Sequence, residues 1–335
     1  MTKSAQRAVL AAALLVASAC GASPPAIPLP LHQIADAALG SPTRRFDYAS
    51  LDPASGRMFI ADLAGGRVLV FDVRTNTLVK AIPGIGGAHG VLAVPERGRV
   101  YASATATDEL VAIDMEMLAV VARSPAGRYP DGIAWAPKVG KLYVSDEHGQ
   151  TVGVVDAATH RLLTKVAVGG DVGNTQYDAA DGLIYSAEQS TNELVAIDPA
   201  RDVVTGRWPL AGCRGSHGVQ LDSSRQLAYV ACEDNARLLT FSLAAHKVID
   251  AQAVGDEPDV MAADFGLARL YVASESGVVT MFDISSATPR KVGQAKLADN
   301  AHVVAVDPAT HRVYFPLRSL LGTPVLRIMA PNVAQ

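Results

Sequence analysis

The chain has 335 residues, of which 49% are hydrophobic, and a formal net charge of −4. This apolar content is ample for a core, and repeat folds of this length can form a single domain. The charge is mildly acidic with no basic run, which excludes a general nucleic-acid binder because phosphate affinity needs clustered Lys and Arg.

The N-terminus has the pattern of an export signal. Lys3 and Arg7 precede the apolar run "AVLAAALLVASA", which is too short to span a bilayer comfortably. Two interpretations stay open for the small residues that follow: a signal peptide over residues 1–19 with lipidation of Cys20, or ordinary cleavage after Ala19. Residues 20–30 are small and proline-rich, as in a tether. We expect an exported protein of the periplasm or cell envelope that contacts a membrane through a lipid anchor at most.

An aromatic residue recurs at a nearly constant interval through the rest of the chain. Successive spacings are 42, 42, 42, 44, 42 and 43 residues. These aromatic markers are Phe59, Tyr101, Tyr143, Tyr185, Tyr229, Tyr271 and Tyr314. After most of them comes a second run of strand length, such as "RVLVFD" or "ELVAID", that closes on Asp. A period near 42 with four short strands per unit predicts an all-β fold, a seven-bladed β-propeller.

The predicted blades lie near residues 43–86, 87–127, 128–170, 171–212, 213–255, 256–299 and 300–335. The last unit runs out after about three strands, whereas the segment "LHQIADAAL" at 31–39 precedes the first. We expect this segment to supply the missing outer strand, because an open ring would leave two unpaired sheet edges. The pair Cys213 and Cys232 predicts a disulfide, since an exported protein meets an oxidising compartment.

The repeated phrases resemble those of the YncE-like, YVTN-type β-propellers of bacterial periplasms. The phrases include "RRFDYASLDPASGRMFIAD", "IPGIGGAHGV" and "AHVVAVDPATHRVYFPL", and the likeness covers about residues 43–320. The YVTN tetrapeptide itself is replaced by "LYVSD", "LYVAS" and "AYVAC". The resemblance implies the propeller fold and a periplasmic location, and it says little about function because one fold hosts many chemistries.

Polar side chains recur twelve residues before each aromatic marker, where a propeller chain enters its innermost strand from the top face. These positions hold Asp47, His89, Asp131, Gly173, His217, Asp259 and His302. One interpretation is structural, with each side chain hydrogen-bonded to fix blade register. The other is a ligand or metal site, because imidazole and carboxylate bind zinc, copper or nickel. The sequence leaves both open for the mouth of the central channel.

A second ring of acidic residues is predicted in the top-face loops that follow the marker strands. It comprises Asp62, Asp146, Glu147, Glu188, Glu233 and Glu275, with Arg318 as the one evident counter-charge. Such a funnel attracts cations and repels phosphates. A merely solvated rim is the other interpretation, because turns favour Asp in any case.

The sequence predicts a binding or scaffolding protein without catalytic activity, its ligand site at the acidic top face and channel mouth. Haem-attachment, P-loop, G-x-S-x-G and H-E-x-x-H motifs are missing from the sequence. The alternative is a lactonase-like hydrolase with a divalent metal in the channel, held by the same His and Asp residues. We expect a monomer whose partner is a small molecule or another envelope protein, and no cofactor other than that metal.

Overall fold

The computed structural model describes residues 27–332, and almost all of them lie in or between β-strands. Seven four-stranded antiparallel sheets are arranged as the blades of a ring. The seven-bladed β-propeller predicted from the 42-residue period is therefore confirmed. The predicted signal peptide and the lipidation of Cys20 lie outside the described residues. Within residues 27–332, no helix is long and apolar enough to cross a membrane.

The first three blades follow one another without interruption. Blade 1 holds β2 (Ala49–Asp52), β3 (Arg57–Asp62), β4 (Arg67–Asp72) and β5 (Thr77–Pro83). Blade 2 holds β6 (Ala88–Val94), β7 (Arg99–Ala104), β8 (Glu109–Asp114) and β9 (Ala119–Pro125). Blade 3 holds β10 (Pro130–Ala136), β11 (Lys141–Asp146), β12 (Thr151–Asp156) and β13 (Arg161–Ala167).

The next three blades repeat this order of strands. Blade 4 holds β14 (Val172–Tyr177), β15 (Ile184–Glu188), β16 (Glu193–Asp198) and β17 (Val203–Pro209). Blade 5 holds β18 (Ser216–Asp222), β19 (Leu227–Cys232), β20 (Arg237–Ser242) and β21 (Lys247–Ala253). Blade 6 holds β22 (Pro258–Asp264), β23 (Arg269–Ser274), β24 (Val278–Asp283) and β25 (Arg290–Lys296). Two short 3₁₀ turns, Pro95–Arg97 and Glu233–Asn235, lie in blades 2 and 5.

Blade 7 closes the ring by joining the two ends of the chain. Its strands are β26 (Ala305–Asp307), β27 (Arg312–Leu320), β28 (Thr323–Pro331) and β1 (Leu31–Ala38). Strand β1 pairs antiparallel with β28 from Leu31 opposite Pro331 to Ala38 opposite Val325. The expectation that residues 31–39 supply the missing strand is thus confirmed. The last residues of the predicted tether are also bonded to the ring, because Gln294 donates a 2.7 Å backbone hydrogen bond to Ile27.

The aromatic markers form the core between blades. All seven are at most 3% exposed, and the second and third strands of each blade are buried almost throughout. The outer strands instead alternate between exposed and half-buried residues, as in β17 and β21. In blades 1 to 4 and 6 an Asp closes the third strand and caps the following turn, as Asp72 does by accepting hydrogen bonds from the backbone N–H groups of Arg74 and Thr75.

Candidate functional site

In blades 2 to 6 the predicted channel-mouth residues lie where the first strand breaks its pairing with the second, whereas Asp47 and His302 come just before the first strands of blades 1 and 7. In blades 2 to 6 the register shifts in this stretch, for example between Ala88 and Val91 and between Ser216 and Val219. His89 and His217 lie within these irregular stretches. A bulge of this kind turns a side chain away from the regular sheet direction, here toward the central channel.

The histidines of blades 2 and 5 each lie between two carboxylates. The Nε2 atom of His89 is 3.2 Å from Asp47 Oδ2 and 3.5 Å from Asp131 Oδ1. The Nε2 atom of His217 is 3.8 Å from Asp131 Oδ2 and 3.3 Å from Asp259 Oδ1. Asp131 therefore faces two imidazoles.

His302 of blade 7 completes the circle. Its Nε2 atom is 3.8 Å from Asp47 Oδ2 and 3.8 Å from Asp259 Oδ2. The six side chains, three Asp and three His, thus alternate around the channel. We call them the Asp–His ring.

Gly173 explains how six side chains close a ring in a seven-bladed protein. A Cβ atom at Gly173 would lie 2.7 Å from the carbonyl oxygen of His217 and 2.8 Å from its Cα. The backbone of blade 5 therefore occupies the space of the missing side chain, and His217 approaches Asp131 directly.

Glycines that follow ring residues have the same role. A Cβ at Gly90 would lie 2.2 Å from the carbonyl oxygen of Asp131, and one at Gly218 would lie 2.1 Å from that of Asp259. The recurrent His-Gly dipeptide thus permits close approach of neighbouring inner strands. Ser103 fixes this contact by accepting a 2.6 Å hydrogen bond from Gly90 N–H and donating one of 2.8 Å to the Asp131 carbonyl.

Several ring atoms are buried without a hydrogen-bond partner among residues 27–332. They are both carboxylate oxygens of Asp131, Oδ1 of Asp47, Oδ1 of Asp259, Nδ1 of His89 and Nε2 of His302. Asp131 is completely buried. Buried carboxylates are normally hydrogen-bonded or bound to a metal, because leaving them unpaired is costly.

The ring carboxylates favour protonation of the ring imidazoles. Burial alone would lower the pKa of His89, but Asp47 and Asp131 outweigh burial and raise this pKa to about 9. Burial is likewise outweighed at His217, where Asp259 and Asp131 raise the pKa to about 10. Burial raises the pKa of Asp131 despite the two nearby imidazoles. Without a bound cation, the ring is therefore a set of buried, mutually dependent charges.

The structure separates the six predicted top-face acids into two groups. Asp62, Asp146 and Glu188 end their strands with buried side chains that bond to the adjacent turn. The other three acids each lie one residue beyond the end of the second strand of a blade, and they are half-buried above the ring. They are Glu147, Glu233 and Glu275. Of the six predicted acids, these three are the ones that remain partly exposed.

Arg45 is a charged residue of the mouth that the sequence analysis did not identify. Its guanidinium contacts Asp47 Oδ2 at 3.0 Å through Nε and Glu275 Oε1 at 2.5 Å through Nη1. The predicted counter-charge, Arg318, instead donates to the backbone carbonyl of Arg44. The only available signal for Arg45 was its position two residues before Asp47.

An aromatic pair borders the ring beside blade 3. The ring of Tyr129 meets that of His89 edge-on at 5.6 Å, and His148 stacks on Tyr129 at 4.6 Å. Tyr129 has a positive φ of 59° at a position where blades 2 and 5 have glycine, Gly87 and Gly215. Glu257 and Asn300 also have a positive φ at this position of blades 6 and 7, so the conformation is a feature of the repeat rather than of Tyr129 alone.

Below the ring, the inner strands line a cavity of about 620 Å³ with both apolar and polar residues. Tyr48 lies directly below the ring, and its hydroxyl is buried without a partner among the described residues. Burial, together with the charges of Asp131 and Asp259, holds the pKa of Tyr48 well above its usual value. The phenol therefore stays protonated and can donate a hydrogen bond toward the ring.

The predicted disulfide is present close to the mouth. Cys213 and Cys232 are bonded, with 5.3 Å between their Cα atoms. The bond joins the loop before β18, which carries His217, to the end of β19, which precedes Glu233. A disulfide at this place is typical of a protein that matures in an oxidising compartment.

A family model described as a YNCE-like beta-propeller matches residues 48–181, which is less than half of the chain. The match confirms the resemblance that the repeated phrases indicated. No curated protein sequence matches the chain.

Solved structures are similar over nearly the whole ring. Hydrazine synthase of Kuenenia stuttgartiensis is 15% identical, with a TM-score of 0.75, and the similarity covers 86% of this chain and 96% of that one. A structure of U3-55K is 10% identical, with a TM-score of 0.75 and coverage of 88% and 98%. The WD40 repeats of RRP9 are 10% identical, with a TM-score of 0.75, and the similarity covers 90% of this chain and 99% of that one. At these identities the likeness shows the fold alone.

Proposed function

We propose that this YncE-like β-propeller is a non-catalytic binding protein of the cell envelope that holds a divalent transition-metal ion in its Asp–His ring. The observation that carries the proposal is Asp131, a completely buried carboxylate with neither oxygen hydrogen-bonded among residues 27–332. The nearest groups to these oxygens are the imidazoles of His89 and His217, at 3.5 and 3.8 Å, and a bound cation would replace these long contacts with coordination bonds.

The donor set favours a transition metal over calcium. Imidazole nitrogens alternate with carboxylates around the ring, and mixed nitrogen and oxygen ligands suit zinc, copper or nickel. Calcium prefers six to eight oxygen ligands. The half-buried acids Glu147, Glu233 and Glu275 add negative charge on the open side, which attracts a cation from solution.

Export to the cell envelope is part of the proposal. It is supported by the disulfide between Cys213 and Cys232 and by the apolar N-terminal run that follows Lys3 and Arg7. Cell fractionation, with mass measurement of the mature N-terminus, tests this part and distinguishes lipidation of Cys20 from simple cleavage. A full-length chain in the cytoplasm would overturn it.

The decisive test of binding is elemental analysis of untagged protein purified from its native envelope, followed by calorimetric titration of the metal-free protein with Zn²⁺, Cu²⁺ and Ni²⁺. We expect at least one ion per chain and a large loss of affinity in Asp131→Asn. Arg290→Gln is a matched control, because this exposed residue pairs with Asp283 on the outer edge of blade 6. A parent protein that binds none of these ions would overturn the proposed function.

One observation favours the lactonase-like hydrolase as the second candidate. Glu147 is a half-buried acid beside the ring, and burial together with Asp131 raises its pKa, as a residue that shuttles protons near a metal requires. A panel of lactones and esters offered to the zinc-loaded and metal-free protein separates the two functions. Turnover that requires both the metal and Glu147 would establish the hydrolase and overturn the non-catalytic role.

A further inference from the structure

We infer that the Asp–His ring holds two divalent metal ions, with the carboxylate of Asp47 bridging them. This inference rests on the proposed function and extends it by fixing the number of ions and the ligands of each. His89 and Asp131 would complete one position, and His302 and Asp259 the other.

The ligand atoms form two compact groups rather than one. In the first group, one ligand atom from each of Asp47, His89 and Asp131 lies within 4.8 Å of the others. The second group meets the same condition with Asp47, Asp259 and His302. Asp47 is the member that the two groups share. The imidazoles of both groups face the same oxygen, Oδ2 of Asp47, with His89 at 3.2 Å and His302 at 3.8 Å, so this carboxylate lies between the two positions.

The unpaired atoms of the ring belong to these same residues. Among the described residues, the Asp131 oxygens, Oδ1 of Asp47, Oδ1 of Asp259 and Nε2 of His302 are all buried without a hydrogen bond. Each group therefore contains vacant ligand atoms of its own, and the shared Asp47 contributes one as well. Oδ2 of Asp47 also contacts Arg45, so an ion must compete with the guanidinium for that oxygen.

The hydrogen bond at Nδ1 of His302 leaves its Nε2 free to act as a metal ligand. Its Nδ1 lies 3.1 Å from the backbone carbonyl oxygen of Asn300, and a carbonyl can only accept a hydrogen bond. Nδ1 therefore carries the proton, and the neutral imidazole presents a lone pair at Nε2 toward Asp47 and Asp259. Metal-binding histidines commonly donate their second N–H to a backbone carbonyl in this way.

His217 has the opposite arrangement. Its Nδ1 lies 2.6 Å from the side-chain nitrogen of Gln189, which donates to it, so the proton of a neutral imidazole is on Nε2. That nitrogen lies 3.3 Å from Oδ1 of Asp259 and 3.8 Å from Oδ2 of Asp131. His217 thus faces the terminal carboxylates of both positions, and it belongs to neither group of ligand atoms. It is a positioning residue and a ligand of neither ion.

The test counts ions per chain by native mass spectrometry of untagged, zinc-saturated protein, with a competing chelator to strip weak surface sites. We expect two Zn²⁺ in the parent, one in His89→Ala, one in His302→Ala and two in Arg290→Gln. The last variant is the control, since this exposed residue pairs with Asp283 on the outer edge of blade 6, away from both ligand groups.

Electron paramagnetic resonance with Cu²⁺ provides a readout that does not depend on variants. One equivalent of Cu²⁺ per chain should give the signal of an isolated copper ion. A second equivalent should broaden this signal and add a half-field transition from the coupled pair of copper ions. A parent that saturates at one ion would overturn this inference and leave the proposed function standing, whereas a parent that binds none overturns both. The assignment of ligands would also be overturned if the His89→Ala and His302→Ala variants each still bound two ions.

Discussion

The guanidinium of Arg327 donates two hydrogen bonds, each of 2.9 Å, to the carboxylate of Asp36, and it thereby ties the last strand of the chain to the first. A bidentate, partly buried pair is stronger than a solvated one-contact pair. We expect Arg327→Met to lower the free energy of unfolding by about 1 kcal/mol, measured by urea denaturation. Arg290→Met, which removes an exposed arginine from blade 6, should have a smaller effect.

Removal of residues 27–38 should be far more damaging than either substitution. It leaves β28 as an unpaired edge and opens the ring. We expect a large fall in melting temperature and aggregation visible by light scattering. A truncated protein that melts with the parent would show that β1 does not stabilise the ring.

Gly173→Ala tests whether the missing side chain in blade 4 is required by His217. The new methyl would meet backbone atoms at 2.7 and 2.8 Å, so blade 5 must move outward. We expect a loss of about 1–3 kcal/mol of stability, typical of overpacking, together with weaker Zn²⁺ binding. Gly86→Ala is the control, since its nearest contact is a side-chain methyl at 3.3 Å. Equal stability of the two variants would contradict the close approach of Gly173 to the backbone of His217.

The ring should make the metal-free protein less stable in alkaline solution. The folded-state pKa values of His89 and His217, about 9 and 10, lie above the ordinary value of 6.5. Protonation therefore stabilises the fold fully below pH 6.5, and this contribution disappears as the pH rises to about 10. Urea unfolding in a chelator between pH 6.5 and 10 should show this decline, and His217→Gln should flatten it. A parent whose stability is constant over this range would refute the prediction.

The disulfide should stabilise both the fold and the mouth. Cys213 and Cys232 are 19 residues apart, and in the chain-entropy model a loop of this size contributes about 3 kcal/mol. We expect the double variant Cys213→Ala/Cys232→Ala to lose stability of that order and to bind Zn²⁺ more weakly, because His217 and Glu233 flank the bond. Calorimetric melting and zinc titration measure the two effects, and unchanged values in both would contradict this role.

Arg45 should oppose cation binding. Its guanidinium contacts Asp47, a ligand of the inferred site, and Glu275 above it. Arg45→Gln removes this positive charge, so we expect tighter Zn²⁺ binding by calorimetry. Arg44→Gln is the control, because it removes the same charge from the exposed neighbouring position. Weaker binding in Arg45→Gln than in Arg44→Gln would show that Arg45 organises the site instead.

The sequence predicted the fold and the ring positions because both repeat with the blade. Asp47 and His302 have the same offset from their aromatic markers, and the propeller places equal offsets at equal heights in the channel. The acids above the ring were predicted less well, because adjacent strand residues point to opposite sides. Asp146 and Glu147 differ by one residue, yet the first is buried in a turn and the second faces the mouth.

Features that depend on contacts between blades could not be predicted from the repeat. Arg45 lies on a loop whose length and conformation differ from blade to blade, so its reach to Glu275 has no periodic signal. The proton positions on His217 and His302 depend on Gln189 and Asn300, whose partners are known only once the blades are assembled.

The contact between Asp47 and His302 joins the two ends of the chain, and it has a consequence for folding. Every ring residue comes from a different blade, so the last His is in place only after blade 7 has docked onto β1. A chain that has folded only blades 1 to 3 has the ligand group of Asp47, His89 and Asp131, but not the group that includes Asp259 and His302. Capture of the second ion should therefore report the completion of folding, and that ion should slow the first step of unfolding, the separation of the closing strands.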